Sequence, residues 1–162
     1  MQLWLVVQIL ALLALANGTP VIAKDIFGDL FAIPIDGNAK FIDGRPIFGS
    51  SKTIRGLLLS VLVTSAVAPV IGMNWKVGAI VASVAMAGDL CASFLKRRMK
   101  LQPGAKATGL DQLPESLFPA IACRSVLPLS VGVVVAVTAL FFIGELLLSP
   151  ALYHLHLRDR PY

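Results

Sequence analysis

The apolar residues of this chain come in long runs, and that feature constrains its fold more than any other. A helix on the surface of a soluble domain gathers its apolar residues into one stripe; here they fill whole segments. Hydropathy marks five candidate spans, 3–23, 54–72, 77–95, 113–129 and 131–152, each near the ~20 residues that one bilayer crossing needs. The fourth is the most interrupted, by Pro114, Pro119, Arg124 and Pro128. Of 162 residues, 57% are hydrophobic and 14% charged, against about a quarter charged in soluble domains. Five crossings therefore leave little chain for anything outside the membrane. The reading is a single domain over 1–162, an all-α integral membrane bundle of about five transmembrane helices. A disordered chain, a coiled coil and a water-soluble enzyme are excluded on the same grounds.

Residues 3–16 end in Ala14-Leu15-Ala16, which resembles a signal-peptidase site. A secretory signal carries positive charge before its apolar stretch, and here the first basic residue is Lys24. An uncleaved first helix is expected. All but two of the Lys and Arg residues fall on one side of the spans: in the first loop (Lys24, Lys40, Arg45, Lys52, Arg55), in the third (Lys96, Arg97, Arg98, Lys100, Lys106) and in the tail (Arg158, Arg160). The positive-inside rule makes that side cytoplasmic, with the N-terminus outside, the C-terminus inside and a long cytoplasmic loop after helix 1. Trp4 and Trp75 then share the outer interface. The net charge of +5 follows from this topology and gives no reason to expect nucleic acid as a partner. Cys91 and Cys123 lack metal-ligand spacing and read as packing residues. His154 and His156 form a bare His-x-His, weak as a metal signal.

The third span carries the chemistry, Gly88-Asp89-Leu90-Cys91-Ala92-Ser93-Phe94-Leu95-Lys96-Arg97-Arg98. At 3.6 residues per turn, Ser93, Lys96 and Arg97 lie within about 80° of Asp89, and Arg98 falls roughly opposite. Arg98 is thus expected to snorkel to the headgroups. Asp89 sits about 10 Å deeper than Lys96. An isolated carboxylate there costs at least ~2.5 kcal/mol, so it needs a cationic partner or a metal; a structural salt bridge to Arg124 is one solution. Next come Asp111, Gln112 and Glu115, with Asp111 and Glu115 four residues apart and on one helical face. Asp89 and Asp111, with Glu115 as an optional third, offer oxygen ligands to a hard cation such as Mg²⁺. The plainer alternative makes Asp111 a helix N-cap with Glu115 in the first turn. A third cluster, Asp43-Gly44-Arg45-Pro46-Ile47-Phe48-Gly49-Ser50-Ser51-Lys52-Thr53-Ile54-Arg55-Gly56, departs from the P-loop spacing and precedes an apolar helix. It suits phosphate binding at a helix N-terminus, or equally a capped helix with interfacial cations. No arrangement for nucleophilic catalysis can be assembled.

Taken together, these stretches resemble the CDP-archaeol synthase family, membrane cytidylyltransferases of the CDP-diacylglycerol synthase group. The specific part is the block from Asp89 to Arg98 followed by Leu110-Asp111-Gln112; Pro34-Ile35-Asp36-Gly37, Lys52-Thr53-Ile54-Arg55-Gly56, Ala16-Asn17 and the tail Arg158-Asp159-Arg160-Pro161 add to it. The resemblance implies a five-helix membrane fold and a reaction in which CTP and a lipid phosphate give a CDP-lipid and pyrophosphate with Mg²⁺. It implies Asp89 and Asp111 as metal ligands, with Asp89, Lys96 and Asp111 as the catalytic set. Arg97, with Lys96, would hold the CTP triphosphate, and Lys52, Thr53 and Arg55 the lipid phosphate or pyrophosphate. Ser93 and Gln112 would hydrogen-bond within the site, and loop one would cover it. After Gln112, Pro114 to Pro119 stand where the archaeal pattern continues toward an aromatic-rich helix. A diacyl or other isoprenoid glycerol phosphate therefore stays open beside the archaeal ether lipid. No oligomer is indicated. The rival reading is a small carrier with Asp89 in an ion path; it would need charges spread through the span and an internal repeat, and the charges here gather at one face.

Overall fold

The computed structural model describes residues 2–102, 105 and 107–154, with only the backbone described over 148–154. Pro103, Gly104, Lys106, His156 and the tail residues 158–161 lie outside the described residues. Five helices follow in order: α1 (Gln2–Phe27), α2 (Ile54–Val67), α3 (Trp75–Arg98), α4 (Gln112–Cys123) and α5 (Val131–His154). No strand is present among the described residues; loop one holds only two isolated bridges, Pro34 to Thr53 and Lys40 to Pro46.

Among the described residues, three helical segments are long and apolar enough to cross a membrane: Gln2–Phe27, Ile54–Ile71 and Trp75–Arg98. The second is α2 extended by the 3-10 turn Ala68–Ile71, which Gly72 ends in the left-handed conformation. α1 runs through Pro20 to Phe27, four residues past the boundary that hydropathy marks. The fourth segment differs most. α4 has 12 residues, a rise of about 18 Å, and does not reach across the ~30 Å hydrocarbon core. It ends at Cys123 because turns take over: Ser125 N donates to Ala122 O, and Val126 and Leu127 N both to Cys123 O, after which Pro128 bars further helix.

α3 is the central element, packed on α1, α2 and α4, with α5 against α4 and α1. Ile9, Leu12 and Leu13 of α1, Val81, Ala82 and Ala85 of α3, and Val137 of α5 are sealed from outside. Leu58, Leu62, Val135 and Leu140 point outward and exposed, as helix faces that meet lipid do. Lipid tails are as apolar as leucine, so close packing and interhelical hydrogen bonds must hold such a bundle. Ser60 Oγ donates to Ala16 O at 2.7 Å, and Gln8 Nε2 to Ile71 O at 2.6 Å. At Gly78 the α2 backbone comes so near that a Cβ would stand 2.5 Å from Thr64 O. Cys123 packs inside, whereas Cys91 is exposed and takes no part in the core.

Candidate functional site

Loop one does not hang free. It folds back on the ends of α2 and α3, organised by one carboxylate. Asp36 Oδ2 accepts from the backbone N–H of Phe48 (2.8 Å) and Gly49 (2.9 Å), and Oδ1 from Asn38 N (3.1 Å). Partial burial pushes the Asp36 carboxyl up, but these donors outweigh it and hold it below the usual carboxylate value. The clamp fixes the turn before α2, where Ile35 N donates to Lys52 O at 2.8 Å. Asp36→Asn is expected to cost about 1 kcal/mol at neutral pH, since these charge-assisted bonds are partly solvent-screened. A carboxylate whose folded-state value is depressed stabilises above its unfolded value near 4 and stops doing so as pH falls through the folded one. Thermal melts of the two proteins in detergent should therefore differ at pH 7 and converge below about pH 4; a constant gap would show that the charge is not what Asp36 contributes.

The second anchor of loop one is Arg98. Its Nη1 meets Asp43 Oδ1 at 2.6 Å and its Nη2 the Pro46 carbonyl at 2.6 Å. The guanidinium lies 4.8 Å from the Phe41 ring and 4.9 Å from Phe94, which themselves pack edge to face. Arg98 thus does not snorkel to headgroups, as its place opposite Asp89 suggests. The helix turns it toward loop one, which supplies Phe41 and the counter-charge of Asp43, while Phe94 of α3 gives the second ring.

These anchors bring Lys52 over α3. Its Nζ lies 2.6 and 2.5 Å from the two oxygens of Asp89. Burial alone would depress the Lys52 ammonium; the charge and hydrogen bond of Asp89, aided by Glu115 and Asp111, raise it above the ordinary lysine value. Asp89 thus finds its cation on loop one, not at Arg124, which caps the far end of α4 and is exposed. Glu115, in the first turn of α4, comes within hydrogen-bonding reach of Asp89. That juxtaposition depends on Gly88, where α4 presses so closely that a Cβ would lie 2.4 Å from Pro114 O.

The other expected site residues fall around this pair. Lys96 Nζ meets Asp111 Oδ1 at 2.6 Å and donates to Ala105 O at 3.1 Å, while Asp111 Oδ2 accepts from Ala107 N at 2.9 Å. Asp111 occupies the N-cap position of α4 but has helical dihedrals and makes no side-chain cap bond, so its carboxylate serves Ala107 and Lys96. Gln112 is buried, its Oε1 accepting from Gly109 N at 2.8 Å. Ser93 and Arg97 are buried on α3. Thr53 is the N-cap of α2, its side chain accepting from Gly56 N at 3.2 Å. Arg55 turns away from Asp89, donating to Leu30 O and Gly28 O and lying over the Phe27 ring. Thr53 and Arg55 are thus engaged in building the loop. The structure adds Arg45 to the set, its Nη1 near the last carbonyls of α3 at 3.4 and 3.5 Å. The sequence places it in the cluster before α2 without giving it a role of its own.

Asp89 and Glu115 offer hard oxygen donors side by side, and a positive charge, that of Lys52, already lies against them. No group of three His, Cys, Asp or Glu among the described residues is set to hold a metal. Mg²⁺ takes one or two carboxylates and completes its shell with phosphate oxygens and water, so the donor set fits an ion that arrives with a phosphate ligand. The carboxylate next to Asp89 is Glu115, while Asp111, expected there from sequence, is engaged by Lys96.

A family model described as CarS-like, CDP-archaeol synthase, matches residues 70–162. The chain is 33% identical over 153 residues to a CDP-archaeol synthase of Sulfurisphaera tokodaii, covering 91% of this chain and 89% of that one. It is 39% identical over 107 residues to the protein of that name from Pyrococcus furiosus, covering 60% of each. A solved intramembrane enzyme of archaeal membrane lipid biosynthesis superposes with a TM-score of 0.70 at 28% identity, over 84% of this chain and 89% of the other.

Proposed function

The chain belongs to the CDP-archaeol synthase family, and we propose that it transfers a cytidylyl group from CTP to a lipid phosphate of the archaeal ether type within the membrane. In that reaction a phosphate oxygen of the lipid attacks the α-phosphorus of CTP. The bond from that phosphorus to the bridging oxygen breaks, and pyrophosphate leaves with its electrons. Transfers of this kind depend on alignment and charge neutralisation more than on covalent help from the protein.

The observation that carries the reading is the Lys52–Asp89–Glu115 cluster at one end of the bundle. Mg²⁺ held by Asp89 and Glu115 would neutralise phosphate charge and polarise the reacting phosphorus. Lys52, kept charged by Asp89, is placed to move from that carboxylate to an incoming phosphate. Lys96 and Arg97 extend the cationic surface toward the CTP triphosphate, with Asp111 and Gln112 holding the backbone of Ala107 and Gly109 beside them and Ser93 buried below. Loop one covers the cluster. The whole site faces the cytoplasm, where CTP is, with the N-terminus on the opposite side; the lipid tails enter between apolar helices.

The decisive experiment offers the purified protein in detergent labelled CTP, Mg²⁺ and either an archaeal ether phosphate or phosphatidic acid. CDP-lipid and pyrophosphate should form in equal amounts, faster with the ether lipid. Folded protein that makes neither product from either lipid would overturn the reading.

A further inference from the structure

A cavity of about 280 Å³ opens where loop one meets the end of α3, lined by Arg45, Pro46, Arg97, Lys100, Leu101 and Gln102. Three of those residues are cations and none is acidic. Resting on the cytidylyltransferase reading, we infer that this cavity binds the pyrophosphate portion of the nucleotide and holds it as leaving group, with Arg45 and Lys100 as phosphate ligands beside Arg97.

Arg97 argues for it most directly. The residue is only 3% exposed, and its Nε and Nη1 are buried with no hydrogen-bond partner among the described residues. Leaving charged donors unmatched is costly, and a guanidinium is built to grip phosphate oxygens in pairs. Asp111 lies close enough for its charge to act on Arg97, but its oxygens are engaged by Lys96 and Ala107.

Lys100 is an independent sign. α3 ends in a Schellman motif, with Leu101 N donating to Lys96 O and Lys100 N to Arg97 O. The residue after the cap must then adopt a left-handed backbone, which glycine does without strain. Here it is a lysine with φ of 67°, so a strained backbone brings a cation to the cavity wall. Arg45 arrives from the other side, held near the Arg97 and Arg98 carbonyls.

Size and place select the ligand. The volume sits at the lower edge of the ~300–1,000 Å³ typical of small-molecule sites, too small for nucleotide and lipid headgroup together. Arg97 lies eight residues beyond Asp89 on the same helix, about 12 Å along the axis. Two side chains and a phosphate chain between them close that gap, so an α-phosphorus near Asp89 has its terminal phosphates at the cavity.

The test uses the full chain in detergent with inorganic pyrophosphate and Mg²⁺, titrated calorimetrically, with orthophosphate and lipid phosphate in parallel. Arg45→Gln and Lys100→Gly should each weaken pyrophosphate binding about tenfold, the loss of one charge-assisted contact. Product inhibition of CDP-lipid synthesis by pyrophosphate should weaken by the same factor. Lys100→Gly should melt no lower than the parent, because glycine relieves the left-handed strain, so its loss of binding cannot be ascribed to unfolding. Unchanged pyrophosphate affinity in both variants, no pyrophosphate binding by the parent, or a loss confined to lipid phosphate would each overturn the inference. CDP-lipid synthesis with unaltered pyrophosphate binding in the variants would sink it while leaving the cytidylyltransferase intact. Variant-sensitive pyrophosphate binding without CDP-lipid synthesis would do the reverse.

Discussion

Asp89→Asn is expected to lower kcat for CDP-lipid formation by about 10³-fold, the scale on which a single preorganised charge at a reacting phosphate acts. KM for CTP should move far less, because Lys96, Arg97 and the cationic cavity remain. Asparagine keeps the shape of the side chain and one hydrogen-bond acceptor, so the change isolates the charge. It also strips Lys52 of the partner held at 2.5 Å. In the parent protein the Lys52 ammonium is raised above its ordinary value against the pull of burial. A raised lysine stabilises fully below its unfolded value near 10.4 and loses that contribution only as pH climbs through the folded value. The pair should therefore leave parent stability flat between pH 7 and 9. Without Asp89 the buried ammonium loses the chief of its favourable partners, so the variant should melt lower than the parent throughout that interval. Melting curves and turnover measured together check both halves. Turnover within about tenfold of the parent would remove Asp89 from the chemistry.

The helical backbone of this machinery is legible because its determinants are local. Runs of apolar residues mark α1, α2 and α3, and the helical period alone groups Asp89, Ser93, Lys96 and Arg97. What local pattern cannot supply is the course of loop one. Its anchors pair residues far apart in the chain, Lys52 with Asp89 at a separation of 37 and Arg98 with Asp43 at 55, and nothing in either local segment names the partner. Arg124 is as plausible a partner for Asp89 on charge alone as Lys52; only the folded loop decides between them. The short α4 escaped for another reason. Hydropathy carries on past Cys123 through Val126, Leu127 and Leu129, while the helix stops where the backbone turns, and hydropathy does not register turns. Arg45 stands in the cluster that the sequence singles out before α2, but no role follows for it until the end of α3 is seen beside it.

Gly88→Ala tests whether α4 truly seats the site, because local and tertiary physics disagree on its sign. Within a helix the change favours alanine by about 1 kcal/mol, and by propensity α3 should gain. The fold says otherwise. An alanine Cβ would meet Pro114 O at 2.4 Å, Pro114 C at 2.6 Å and Glu115 N at 3.0 Å, all backbone atoms that no rotamer change can clear. Relief requires moving the start of α4, at an overpacking cost of about 1–3 kcal/mol. Because Glu115 follows Pro114 and Asp89 follows Gly88, that movement separates the two carboxylates. A displacement near 1 Å at a reacting site lowers rates by about 10²-fold. The expected variant therefore melts lower than the parent and turns over about 10²-fold more slowly. Gly144→Ala in α5 provides the comparison. Nothing lies within 4 Å of its Cβ position, so propensity acts alone, with activity unchanged and melting temperature equal or slightly higher. If Gly88→Ala behaves like Gly144→Ala, α4 does not rest on Gly88, and the pairing of Glu115 with Asp89 loses its structural basis.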